Sequence, residues 1–200
     1  MEVDQHSAQQ RVGAATGLIA WLPNLISFAR LLAVPVILYL ILTDGTVPAF
    51  WLFIAAGVSD AVDGLIAKQF RVESEIGSYL DPLADKALLA GVYVTLAVVG
   101  AIPLWLVFLI VFRDLMIIGG VLLFHTLTRT LKIQPLFISK TNTLFQIVLA
   151  GLILAKDGLG LEWDYGLRMM MYLVAATTFL SGAEYVLRWG YRAVTMERGE

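Results

Sequence analysis

An all-α integral membrane bundle of six transmembrane helices is the fold class this sequence predicts, and three observations predict it. Hydrophobic residues make up 59% of the 200 residues, charged residues only 15%, and mean hydropathy is +0.81. Soluble domains sit near ~45–50% apolar and ~25% charged, so one aqueous core of this size cannot hide so much apolar surface. The apolar residues fall into stretches near the ~20 residues that a helix needs to cross the hydrocarbon. Basic residues cluster beside alternate ends of those stretches. Net charge is −2, with 14 Lys+Arg against 16 Asp+Glu, which argues against a nucleic-acid binder. There is no cysteine, which excludes disulfides, thiolate metal sites and Cys nucleophiles.

The elements follow in chain order. Residues 1–16 are polar, without the basic and apolar regions of a signal peptide. The stretch GLIAWL before Pro23 reads as a short interfacial helix, with Trp21 at headgroup depth. Six spans are expected at 24–42, 47–66, 83–101, 103–125, 139–155 and 167–187. The chain is then one transmembrane domain over 17–190 with a polar C-terminal tail at 191–200. With the N-terminus in the cytoplasm, Arg11, Lys68, Arg71, Arg129, Lys132, Lys140, Arg188, Arg192 and Arg198 fall on the cytoplasmic side. Only Lys156 and Arg168 fall opposite. The positive-inside rule therefore places both termini and the loops 67–82 and 126–140 in the cytoplasm.

Charges inside apolar spans are costly and point to function. Asp60 and Asp63 are i, i+3 near the end of span 2, and Asp81 and Asp85 are i, i+4 at the start of span 3. A short connection makes these spans antiparallel neighbours, so both pairs can converge at the cytoplasmic end. Charges snorkelling to water account for Lys86 alone but poorly for four carboxylates around one loop. Four carboxylates repel unless cations lie among them, and an all-oxygen set suits Mg²⁺, Mn²⁺ or Ca²⁺ rather than zinc. Two such ions would form a clamp for phosphoryl transfer. Gly64, Ala67 and Gly77 add a smooth strip where a ligand can approach; ordinary close helix packing is the alternative for any single glycine.

Residues 60–85 resemble the CDP-alcohol phosphotransferase signature, D-x2-D-G-x2-A-R-x8-G-x3-D-x3-D, with Lys68 in place of Arg as the one departure. The resemblance implies a membrane enzyme that displaces CMP from a CDP-linked lipid with an alcohol, and a homodimer. It implies two divalent cations, Mg²⁺ or Mn²⁺, held by Asp60, Asp63, Asp81 and Asp85, with Asp85 also the general base. Asp60, Gly64, Ala67 and Lys68 would meet the nucleotide. Lys68 keeps the charge but loses the planar fork of guanidinium. PNLISFAR resembles the family's first-helix pattern, bringing Asn24, Ser27 and Arg30 to helical spacing, Ser27 toward the nucleotide.

Within the family, GSYLDPLADK, RDLMIIGG and QPLFISKTNT resemble the eukaryotic-type CMP-forming cardiolipin synthases. That implies CDP-diacylglycerol as donor and phosphatidylglycerol as acceptor. Phosphatidylglycerophosphate synthases, with glycerol 3-phosphate as acceptor, are the competing branch; Ser139-Lys140-Thr141-Asn142-Thr143 lacks their second lysine. Arg30, Arg113, Lys140, Arg129 and Lys132 are the candidates for substrate phosphate or positioning. For Arg113-Asp114 a structural ion pair and substrate positioning both stand open. A cation transporter is the alternative from another class, and would need carboxylates near the bilayer middle with a path to both sides. The absence of a presequence favours a bacterial inner membrane.

Overall fold

The computed structural model describes the backbone of residues 25–70, 75–128 and 137–197, and the side chains of 25–60, 62, 84–120 and 137–188. Among the described residues there are six helices and no strand: α1 (Leu25–Leu42), α2 (Thr46–Phe70), α3 (Glu75–Val98), α4 (Leu104–Thr128), α5 (Phe137–Leu159) and α6 (Asp164–Glu197). The interfacial helix expected before Pro23, the N-terminal tail, residues 198–200, and Trp21, Arg129 and Lys132 lie outside the described residues, whereas 191–197 of the expected C-terminal tail belong to α6.

Among the described residues three helices are long and apolar enough to cross a bilayer, at Leu25–Leu42, Phe137–Leu159 and Asp164–Arg188; Thr46–Asp60 is a shorter apolar stretch. Bulky apolar side chains stand well exposed on several helices, among them Tyr39, Phe108, Phe112, Phe179 and Leu187. Water does not tolerate an apolar surface of that extent, so lipid covers it and the chain is a membrane protein.

The helices outrun the apolar spans at several ends. The loop expected over 67–82 is helical at 67–70 and 75–82, and that over 126–140 is helical at 126–128 and 137–140. α6 continues to Glu197, past the expected end at 187. Apolarity marks where a helix leaves the hydrocarbon, whereas helical hydrogen bonding continues through residues such as Ala, Lys, Gln and Glu. The turns that follow α1, α3 and α5 are tight. α1 ends in Thr43-Asp44-Gly45, with Gly45 N–H donating to Leu40 O at 2.8 Å and Asp44 at φ 58°, a left-handed conformation that Asp tolerates. α3 closes at Gly100 (φ 78°), with Gly100 N–H on Ala97 O and Ala101 N–H on Leu96 O, the paired bonds of a Schellman cap. Gly160 (φ 67°) ends α5 in a related way.

By contacts the chain forms two compact units, residues 1–92 and 93–200. Each helix buries one stripe. In the first unit α1 buries Ser27, Arg30, Val34, Ile37 and Ile41, a 3-4-3-4 spacing, while α2 buries Ala49, Phe53 and Ala56, and the same repeat leads on to Asp60. α3 buries Ala84, Leu88 and Val92 directly after Asp81. In the second unit α4 buries Leu106, Ile110 and Arg113; α5 buries Asn142, Gln146, Leu149 and Ile153; α6 buries Val174, Thr178, Ser181 and Tyr185. α6 packs on both α4 and α5. Every stripe is apolar over most of its length and turns polar toward one end, and that end alternates from N-terminal to C-terminal along the chain. Short turns reverse the direction of consecutive helices, so within each unit the polar ends meet.

Candidate active site

In the first unit the polar ends meet at Arg30. Its side chain is 1% exposed, fixed by the buried stripe of α1, and its Nη1 donates to Asp60 Oδ1 at 2.8 Å and to Asp85 Oδ1 at 2.7 Å. One cationic nitrogen thus joins the first and last aspartates of the sequence motif, from α2 and α3. The carboxylates are 46% and 42% exposed, so they open outward from a buried cation. Two carboxylates held this close repel each other, and the guanidinium lowers that cost.

Hard carboxylate oxygens that are partly exposed are the donors a hard divalent cation takes. Among the described residues no three Asp, Glu or His side chains group as a metal site. Asp63 and Asp81 belong to α2 and α3 by backbone, but their side chains lie outside the described residues, as do those of Gly64, Ala67 and Lys68. Ser27 is fully buried one turn before Arg30 on the same face of α1.

A second polar centre lies in the second unit. Arg113 of α4, 5% exposed, gives Nη1 to Asp114 Oδ1 at 2.7 Å, Nη2 to Ser139 Oγ at 2.5 Å and to Ser181 Oγ at 2.6 Å, and Nε to Ser181 Oγ at 3.2 Å. One guanidinium therefore ties three helices together. Lys140, next to Ser139, is exposed at the first turn of α5. One turn deeper, Asn142 Oδ1 accepts from Thr177 Oγ1 at 2.9 Å and Thr178 Oγ1 at 2.8 Å, and Tyr93 O–H donates to Gln146 O at 3.0 Å. The amide nitrogens of Asn142 and Gln146 are buried with no hydrogen-bond partner among the described residues.

Sequence reasoning singled out Arg113 and Asp114 but not Ser181, Thr177 and Thr178. Their signal was available: hydroxyls at 177, 178 and 181 repeat on one face of an otherwise apolar span. Asn142→Ala is expected to cost about 1–2 kcal/mol, roughly 2–8 °C in Tm by thermal unfolding in detergent. Thr178→Val should cost similarly. The double variant should fall short of the summed losses by more than about 0.5 kcal/mol, and strict additivity would show the two residues to be uncoupled.

Comparison with known proteins converges on one family. The family model described as CDP-alcohol phosphatidyltransferase matches residues 20–181. The chain is 37% identical over 181 residues to a cardiolipin synthase (CMP-forming)/mitochondrial hydrolase fusion protein of Schizosaccharomyces pombe, covering 83% of this chain and 30% of that protein. It is 34% identical over 195 residues to CDP-diacylglycerol–glycerol-3-phosphate 3-phosphatidyltransferase 1, chloroplastic, of Oryza sativa subsp. japonica, covering 88% and 59%. It is 34% identical over 197 residues to cardiolipin synthase (CMP-forming) of Rattus norvegicus, covering 90% and 64%. The chain thus spans between 30% and 64% of the length of these relatives.

Proposed function

The chain belongs to the CDP-alcohol phosphatidyltransferase family, and we propose that it transfers the phosphatidyl group of CDP-diacylglycerol to a hydroxyl of phosphatidylglycerol, giving cardiolipin and CMP. The observation that carries the reading is the convergence of Asp60 and Asp85 on Arg30. It supports a single site built from both ends of the motif.

In this reading all six helices cross the membrane, with the aspartates toward the cytoplasmic end and both termini in the cytoplasm. The excess of Lys and Arg on that side supports the orientation. The hydroxyl oxygen of the acceptor attacks the phosphorus bonded to diacylglycerol, the bond from that phosphorus to the CMP oxygen breaks, and Asp85 takes the hydroxyl proton. An alcohol at neutral pH needs such a base within hydrogen-bond reach. Two divalent cations, Mg²⁺ or Mn²⁺, held by Asp60, Asp63, Asp81 and Asp85, would neutralise the pyrophosphate and the charge gathering on CMP. Arg30 keeps the carboxylates of Asp60 and Asp85 together from beneath. Ser27, Gly64, Ala67 and Lys68, with Asp60, line the nucleotide's place.

Arg113 has its donors committed to Asp114, Ser139 and Ser181, which supports a positioning role. It fixes the first turn of α5, and with it Lys140, for the acceptor's phosphate; Arg129 and Lys132 supply further positive charge. The chain works as a homodimer in this proposal. Glycerol 3-phosphate is the second acceptor reading, favoured by the chloroplastic relative's name.

The test is CMP release by purified protein from CDP-diacylglycerol with Mg²⁺ or Mn²⁺, offering each acceptor alone. Release with phosphatidylglycerol only is expected. Release with glycerol 3-phosphate only would keep the reaction class and replace the acceptor. Chelation with EDTA should cut release at least about 100-fold, and either cation in excess should restore it. Full activity in EDTA would remove the cations from the reading.

A further inference from the structure

At the other end of α5 from Asn142, four charged residues line one cavity of about 420 Å³. Lys156 and Asp157 come from the last turn of α5, Asp164 and Arg168 from the first turns of α6, with Ile153 and Leu167 forming an apolar wall. Lys156 is paired with Asp164 across the turn, and Asp157 is also engaged. Arg168 makes no hydrogen bond or close ion pair with any described residue, although its charge attracts the Asp164 carboxylate from one turn away.

The aromatic residues around this end set its depth independently. Trp163 and Tyr165 are exposed beside the cavity, and Trp105 at the start of α4 stacks on Tyr172 with ring centroids 6.5 Å apart. Trp and Tyr gather where hydrocarbon meets headgroups, because each ring is apolar in body and polar at its edge. The cavity therefore opens at the level of lipid phosphates, and it offers a guanidinium with its N–H donors not hydrogen-bonded to any described residue, beside an apolar wall. A guanidinium matches a phosphodiester with parallel N–H donors. The apolar wall favours a ligand that carries hydrocarbon next to its anion.

We propose that this cavity is a phospholipid headgroup site, in which Arg168 binds the phosphodiester, the Lys156–Asp164 pair forms the rim, and Ile153 and Leu167 meet the start of the lipid's apolar portion. The proposal rests on the membrane setting of α5 and α6 and not on the transferase reading, so either can fail alone. The site stabilises the α5–α6 turn when filled.

The experiment titrates full-length protein in detergent with dioleoylphosphatidylethanolamine, which is neither proposed substrate, and follows Tm together with the lipid retained in native mass spectrometry. The wild type should gain roughly 5 °C at saturation and retain one lipid. Arg168→Gln, at an exposed position, should bind at least about tenfold more weakly, with Arg168→Lys in between. Inorganic phosphate alone and diacylglycerol alone should each give no gain. Asp85→Asn should keep the full gain. Equal gains in wild type and Arg168→Gln would overturn the proposal, as would an equal gain from inorganic phosphate, which would mark a bare anion site. Loss of the gain in Asp85→Asn would also overturn it, by moving the lipid to the transferase site.

Discussion

Asp85→Asn is expected to lower CMP release by about 10³-fold or more, with the protein still folded. The asparagine is nearly the same shape, and its Oδ1 can still accept from Arg30 Nη1, which the aspartate meets at 2.7 Å. What it lacks is the capacity to take a proton from the acceptor hydroxyl and a full negative charge for a cation. On the proposed mechanism Asp60→Asn keeps the base and loses only the charge, so its loss should be partly recovered by raised Mg²⁺ or Mn²⁺, whereas the loss in Asp85→Asn should not be. The measurement is initial CMP release at several cation concentrations, with size-exclusion profile and Tm as controls for folding. Activity within tenfold of wild type in Asp85→Asn would remove it as the base. Parallel recovery of both variants by metal would leave it a ligand only.

Arg113→Ala is expected to be the most destabilising single change in the second unit. It removes the ion pair that Arg113 makes with Asp114, 26% exposed, and the donor that joins Ser139 to Ser181. Breaking a buried pair by removing one partner costs about 3–5 kcal/mol, a fall of roughly 6–20 °C in Tm. Arg113→Lys can keep the ion pair but cannot reach Asp114, Ser139 and Ser181 with one planar fork, so its Tm should fall by an intermediate amount. If Arg113 positions Lys140 through Ser139, Arg113→Lys should also raise the acceptor KM while leaving the KM for CDP-diacylglycerol unchanged. Equal rises in both would make its role structural only. A Tm within 2 °C of wild type in Arg113→Ala would show that the three helices are held by apolar packing instead.

The site was legible in the sequence to the extent that its chemistry is local. Carboxylates at i, i+3 and i, i+4 spacing lie on one helical face wherever the helix goes, so Asp60 with Asp63, and Asp81 with Asp85, were identifiable before any fold was known. The intrinsic cost of charge among apolar residues singled them out. Helix ends were less legible, because hydropathy reports the hydrocarbon boundary and not the last helical hydrogen bond. Hence the helical residues 75–82 fell in an expected loop.

By itself, the sequence determined an all-helical membrane protein, its family, the spacing of the four aspartates, and the stripe each helix had to bury. Those follow from composition, from turn-to-turn periodicity and from spacing within one motif. Only the tertiary structure decided which charges became partners. Arg30 is 30 residues from Asp60 and 55 from Asp85, yet one of its nitrogens bonds both. Arg113 reaches 68 residues to Ser181. Periodicity specifies the face a side chain occupies but not the helix opposite it. That depends on how tight turns such as Asp44-Gly45 and Gly100 fold consecutive helices back on one another. A buried guanidinium then takes whichever acceptors that packing brings within hydrogen-bond reach, because in a membrane interior the alternative is an uncompensated charge.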